Sequence, residues 1–325
     1  MVQHNDDSFA TMLLMMQINP QREELVLPLS AVEWHQLHQK IIANKKFMNM
    51  GSLLRTDMSE LTYELNCTED EAYRICILLG RTLPLSIVFE QMLDSEIEII
   101  TYEQRVYPER LRDRLFDKAP PLLFMKGRPE LFKQSAIAIL GAQTPTPEME
   151  SHIRLLTRQA IAEGYTIVTD GRNGAGTVAA DEAVSHGGHA MMIMAGGLRE
   201  HSKRPDIEAL IEDRRIALVS QFHPDAPYTP THARQRNKSI YALCEAAFVF
   251  SCDEDKGTTW AGAMEALRSR YCKFIYVPDT DDCTGNRPLI KRGALKMPDP
   301  ERNDVKALSK FWLSAAAEQT SLFDW

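Results

Sequence analysis

The chain has 325 residues, enough for two domains or for one large domain with an added module. Apolar residues make up 44% and charged residues 25%, the balance of an ordinary folded protein with a sizeable core. A formal net charge of -8 excludes a surface that attracts nucleic acid everywhere, although a local basic groove remains open because steering depends on where charge sits.

The opening, MVQHNDDSFATMLLMMQINP, has no basic segment ahead of its short apolar stretch. It reads as a helix packing Met12 to Met16 on an N-terminal module, not as a signal peptide. Ser30 and Glu33 have capping-box spacing and predict a helix over 31–42, with Trp34, Leu37 and Ile41 on one face and His35, Gln36 and Gln39 pointing elsewhere. Ser59 and Glu60 introduce 61–65. Thr68 and Glu71 form a second box before a helix over 69–79, which Gly80 is placed to end at C′. Pro84 lies near the start of a helix over 85–93. Leu65, Leu78, Leu79, Leu83 and Leu85 are the expected packing residues of this helical module, residues 1–96.

Residues 97–101 read as extended, and a short amphipathic helix with Leu111 and Leu115 ends at Pro120 and Pro121. From Ser135 apolar runs alternate with helical patterns. Strands are expected at 136–140, 166–169, 190–194, 217–220, 247–250 and 274–277, and helices at 148–162, 178–185, 207–212, 236–244 and 260–268. Strands apolar on both faces and separated by helices imply an α/β domain with a mainly parallel sheet covered on both sides. It is assigned to residues 97–294 including the lead-in. Residues 295–325 read as a linker followed by a helix over 304–322 that docks through Phe311, Trp312 and Leu313.

No apolar run reaches the ~18 residues of a membrane-crossing helix. Six cysteines without a CxxC pair read as free thiols of a reducing, cytoplasmic setting. No metal site is expected. His186 and His189 around Gly187-Gly188 read as a helix-ending turn.

In such sheets ligands bind beyond the carboxyl ends of the strands, so the loops there carry the chemistry. The first, Gly141-Ala142-Gln143-Thr144-Pro145-Thr146, offers a glycine for close approach and polar side chains for an anionic oxygen, or is a plain strand-to-helix turn. The second, Thr169-Asp170-Gly171-Arg172-Asn173-Gly174-Ala175-Gly176-Thr177, has the composition of an anion-binding nest but matches neither GxGxxG nor Walker A. Its Asp170 is a candidate general base or acceptor for a ribose or base, whereas Asp181 and Glu182 on the following helix are expected to face solvent. The third, Gly196-Gly197-Leu198, precedes Arg199, His201, Lys203 and Arg204. The fourth is proline-rich and feeds Arg234, Arg236, Asn237 and Lys238, where Arg236 is expected to open a helix and project toward a phosphate. The fifth, Lys256-Gly257-Thr258-Thr259, places hydroxyls and helix amides together. No HExxH, GxSxG or paired cysteine nucleophile is present, so no catalytic residue is assigned.

An ordered set of short motifs spans roughly 99–294. It comprises Tyr107-Pro108 with Leu111, Pro120-Pro121, Leu123, Lys126-Gly127, Ala138-Ile139-Leu140-Gly141, Gly187-Gly188, Gly196-Gly197-Leu198, Arg236-Asn237-Lys238 with Ile240 and Leu243, Gly257-Thr258-Thr259 with Ala261, and Gly285, Leu289-Ile290 and Gly293-Ala294. The set resembles the DprA/Smf family of DNA-processing proteins. The resemblance implies an extended Rossmann-like fold behind a small helical module. It also implies single-stranded DNA binding, dimerisation and loading of a RecA-type recombinase, as in natural transformation, with no cofactor and no established enzymatic step. The chain departs from the family pattern at Gln143, which replaces an arginine, and at Asp170-Gly171, which replaces a Ser-Gly pair. Thr177 and Asp181 stand at an aspartate and a histidine position, Ala233 at an aromatic one, and Ser251-Cys252 where an acidic residue often follows the fifth strand.

Three functions remain in play on the sequence. Single-stranded DNA could be held by Arg172, Arg234, Arg236 and Lys238, with backbone amides near Gly141, Gly174 and Gly257 setting register. The alternatives are a nucleotide sensor or hydrolase using Asp170, and a protein-interaction scaffold, as in defence against foreign DNA.

Overall fold

A computed structural model of the chain describes residues 3–18, 26–297 and Leu308. The described elements run, in order, α1 Asp6–Met15, α2 Ala31–Ala43, α3 Met58–Glu64, α4 Glu69–Leu79, α5 Thr82–Asp94, β1 Glu98–Thr101, α6 Glu109–Leu115, β2 Leu122–Lys126, β3 Ala136–Leu140, α7 Pro147–Ala162, β4 Thr166–Thr169, α8 Ala175–Ser185, β5 Ala190–Met194, α9 Arg199–Ser202, α10 Pro205–Glu212, β6 Ile216–Ser220, α11 Pro230–Leu243, β7 Ala246–Val249, α12 Gly257–Ser269, β8 Phe274–Val277, α13 Asn286–Lys291 and β9 Leu295–Lys296. No single helix among the described residues is long and apolar enough to cross a membrane.

The chain divides into two compact units. The first comprises Met1–Lys126, Gly196–Lys203 and Val219–Pro227. Residues 97–126, grouped on the sequence with the α/β domain, therefore pack with the helical module, where β1 and β2 pair antiparallel. Side chains fix where four of its helices begin. Asn5 caps α1, and Ser30, Asp57 and Thr68 close capping boxes on α2, α3 and α4. The apolar faces then meet in one core that includes Trp34, Leu37, Ile41, Leu61, Leu65 and Leu78.

Three expectations for this unit are corrected. Leu83 is 72% exposed and lies outside the buried core. His35 is buried, with its Nε2 hydrogen-bonded to the Ala119 carbonyl at 2.8 Å. Gly80 is the C-cap of α4, but its φ of -71° needs no glycine. Also in this unit, burial pushes the Glu103 carboxyl up to about 7, while Thr11 Oγ1 donates to it at 2.9 Å.

The second unit comprises Gly127–Ala195, Arg204–Leu218 and Tyr228–Trp325. Its strands lie in the order β6-β5-β4-β3-β7-β8-β9. The pairs β3–β4, β4–β5, β3–β7, β7–β8 and β8–β9 are parallel. The apolar runs AIAIL, TIVT and FIYV are buried throughout because helices cover both faces. Proline at the first helical turn starts α7, α10 and α11. As a result α11 begins six residues before Arg236 and not at it. Glu182, expected in solvent, is 4% exposed and lies between Arg154, Arg158 and His186. His186 is the C-cap of α8 and Gly187 follows at φ +76°, the expected helix-ending turn. The strands β2 and β9 were not expected as such.

All six cysteines are free thiols. The predicted helix over 304–322 and most of its linker lie outside the described residues. Leu308 alone is described: it is buried, and its amide donates to the Glu163 carboxylate at 2.8 Å.

Candidate functional site

Strand order decides where the site falls. From β3 the chain steps outward through β4 and β5 to β6, then returns to the other side of β3 with β7 and continues to β8 and β9. The order reverses between β3 and β7, and at such a switch point the loops leaving the two strands diverge and open a crevice. A cleft of about 500 Å³ lies there. Its lining includes Gly141, Ala142, Gln143, Thr144 and Thr146 after β3, Ser251, Cys252 and Asp253 after β7, Lys256 to Thr259 at the start of α12, and Arg172.

The two sides are tied together locally. The Ala142 amide donates to Ser251 Oγ at 2.8 Å, and the Gly285 amide donates to the Cys252 carbonyl at 2.9 Å. The Ala175 amide donates to the Ala142 carbonyl at 3.1 Å, which sets the start of α8 against the first loop. Gly174 makes this approach possible: its φ is +104°, and a Cβ there would stand 2.3 Å from the Ala142 carbonyl oxygen.

Four helix starts distinguish the loops. Thr146 caps α7 and Thr229 caps α11 through their side chains. Lys256 at α12 and Gly174 at α8 make no side-chain cap bond. The first-turn amides of α12 at the cleft wall therefore receive no acceptor from the side chain at the cap position. Gly257 there has φ +72° and open space where a Cβ would stand. Thr258 and Thr259 are half-buried, and Lys256, Gln143 and Thr144 are exposed. The lining carries both signs of charge, Arg172 and Lys256 with Asp253 and Asp282. Burial pushes the Cys252 thiol up to about 12, so it lines the cleft as a neutral group.

The cleft thus brings together Gly141, Gln143, Thr144, Arg172, Gly257, Thr258 and Thr259. The basic stretch on α11 does not join them. Residues two apart on a helix point about 200° from one another, so Arg234, Arg236 and Lys238 cannot form one row. Arg234 is exposed. Lys238 lies 3.3 Å from Glu265. Asn237 is buried, and its Nδ2 donates to the Thr258 carbonyl at 2.7 Å, so it acts on the site by holding the first turn of α12.

Arg236 is fully buried and does not project. Its Nη1 donates to the Asp170 carbonyl at 2.7 Å and to the Ile193 carbonyl at 2.8 Å, joining the ends of β4 and β5. Burial lowers its guanidinium to about 10, leaving it charged at neutral pH. Asp170 is engaged in turn: Oδ1 accepts from the Arg172 amide at 3.2 Å and Oδ2 from Arg172 Nε at 2.6 Å. Gly171 makes the turn at φ +66°, with Met194 Sδ 2.6 Å from where a Cβ would stand. In the third loop, Arg199 engages Asp225 at 2.7 Å and also Ser95, and Arg204 pairs with Asp206 at 2.7 Å.

The sequence shows Lys256 only as part of a loop, and Ser251-Cys252 only as a departure from a family pattern. Their place at the cleft follows from the β3–β7 adjacency, which no local pattern encodes.

A sequence model of the family described as DNA recombination-mediator protein A matches residues 98–305. The DNA processing protein DprA of Bacillus subtilis (strain 168) is 25% identical over 205 residues, covering 62% of this chain and 68% of the relative. Among solved structures, DNA processing protein A (DprA) from Streptococcus pneumoniae superposes with a TM-score of 0.60 at 16% identity, over 84% of this chain and 96% of that one. DNA processing protein A from Helicobacter pylori, a protein with a single-stranded DNA binding mode, gives 0.54 at 20% identity, over 69% and 98%. At these identities the two structures speak for the fold. The family match spans well over half of the sequence, and the chain belongs to the DNA recombination-mediator protein A family.

Proposed function

We propose that the cleft between β3 and β7 binds single-stranded DNA through its phosphates, in DNA processing or recombination. The observation that carries this reading is the open start of α12 at the topological switch point. There Lys256 and a first turn with no side-chain cap face the polar first loop across a cleft of about 500 Å³. A helix start of this kind favours an anion, and the exposed Lys256 adds a mobile positive charge. Gln143 and Thr144 donate from the opposite wall. Such contacts read the backbone and not the base sequence, which suits a chain whose family processes DNA and whose structural relative from Helicobacter pylori binds single strands. The net charge of -8 confines the attraction to this site. Loading of a RecA-type recombinase, dimerisation and a cytoplasmic setting extend the same reading by way of family membership.

Titrating a labelled oligothymidylate at several salt concentrations tests the reading. Affinity is expected to fall as salt rises, with a slope of roughly -0.7 per neutralised phosphate. No binding at low salt overturns it. The bounded cleft favours one second reading, capture of a single nucleotide, since its volume is that of a small-molecule site. In that case a mononucleotide competes as well as an oligonucleotide of any length.

A further inference from the structure

The second loop has the features of an anion site, and it already contains an anion. Asp170 lies at the open start of α8, its Oδ1 3.0 Å from where a Cβ on Gly176 would stand. Two guanidinium groups converge on the same carboxylate. Arg172 Nε donates to Oδ2 at 2.6 Å, and Arg236 Nη2 lies 3.7 Å from that oxygen. Arg236 is fully buried, and its Nε and Nη2 have no hydrogen-bond partner among the described residues. The Asp170 side chain is 12% exposed and that of Arg172 28% exposed. An uncapped helix start, a buried arginine with unspent donors and a second arginine at the rim are the components of a phosphate pocket.

We propose that the Asp170 carboxylate is a resident anion. It fills the position that a ligand phosphate would take at the start of α8, and so withdraws Arg172 and Arg236 from ligand binding. The inference deepens the function proposed above and rests on it: phosphates are confined to the first loop and the start of α12, and the part of the ligand over the second loop is uncharged, a sugar or a base. Asp170 is then a specificity-determining residue. It rejects charge where the backbone would otherwise accept it, because two anions at one helix start repel each other in a poorly solvated site.

The test is a gain of function. Asp170→Asn and Asp170→Ser remove the charge, Asn keeping the shape and Ser opening space. Melting temperatures are measured for each variant and for the unaltered protein across a series of inorganic phosphate concentrations. Phosphate is expected to raise the melting temperature of both variants well beyond any shift in the unaltered protein. A labelled oligothymidylate is expected to bind the variants about tenfold more tightly, with a salt slope steeper by roughly 0.7.

Asp170 variants whose melting temperatures ignore phosphate would overturn the proposal. A variant that folds only in high phosphate supports it, and one that phosphate does not restore counts against it. The phosphate series reads Asp170 alone, whereas oligonucleotide binding by the unaltered protein reads the cleft, so the two ideas fail separately.

Discussion

Four helix starts of the first unit differ from two in the second, although α5 and α6 of the first unit also lack a side-chain cap and α7, capped by Thr146, starts at the cleft. In the first unit, α1, α2, α3 and α4 each begin with a side chain that takes an amide of the first turn, and three of them complete the reciprocal capping box. At the cleft, α12 begins at Lys256 and α8 at Gly174, neither of which caps with its side chain. The difference cannot be ascribed to the second unit as a whole, because Thr146 and Thr229 cap α7 and α11 there. A capped start is finished within its own chain segment and contributes to stability. An open start leaves donors that a ligand, or an internal carboxylate such as Asp170, can take up. The contrast separates Ser30, Asp57 and Thr68, whose side chains are spent on their own helices, from Lys256, whose side chain is not.

Mutations can break that separation, and Arg236→Ala has the largest expected effect. It removes two charge-assisted bonds to backbone carbonyls and leaves a void in the core, so denaturant unfolding is expected to show a loss of about 3 kcal/mol or more. A variant as stable as the parent but weak in DNA binding would return Arg236 to the ligand.

Glu103→Gln comes next and concerns the first unit. Its folded pKa, raised by burial to about 7, lies above the unfolded value near 4.5. The folded state therefore holds the proton more tightly, and stability falls as pH rises from about 4.5 to about 7, then levels off. The variant should lack this fall and be more stable above pH 7, by up to roughly 3 kcal/mol. Parallel stability curves for parent and variant between pH 4 and 8 would refute this.

Lys256→Ala should leave the unfolding midpoint in place, weaken oligonucleotide binding about tenfold and flatten the salt slope by roughly 0.7. Thr68→Ala is its mirror image. It should cost about 1 kcal/mol of stability with unchanged DNA affinity. Leu83→Ser, on an exposed position, should shift neither quantity by more than about 0.5 kcal/mol.

Most elements were legible because their signals are local. The capping boxes at Ser30 and Thr68 marked helix starts to the residue, and α4 spans the predicted 69–79. The apolar runs 136–140, 166–169, 190–194 and 274–277 coincide with β3, β4, β5 and β8. The strand β2 was harder to see, since LLFMK follows two prolines and its partner β1 lies more than twenty residues away. The loops after the strands could be named as candidates, and seven of their chosen residues line one cleft. The basic stretch misleads because spacing along the chain does not give the direction of side chains on a helix. On a helix that starts at Pro230, Arg236 and Asn237 turn inward while Arg234 stays outside.

By itself, then, the sequence determined the period-2 and period-3.6 segments, the caps that bound them and the mainly parallel α/β class. Each of these depends on residues within a few positions of one another. The tertiary structure alone decided that β7 lies beside β3 and not at an edge, which puts the order reversal and its cleft between Gly141 and Ser251. It alone decided that Asp170 faces Arg172 and Arg236, residues 2 and 66 positions away. Contacts of that separation depend on how whole elements pack, and a charge written in the sequence does not say whether solvent, a ligand or another charge will meet it.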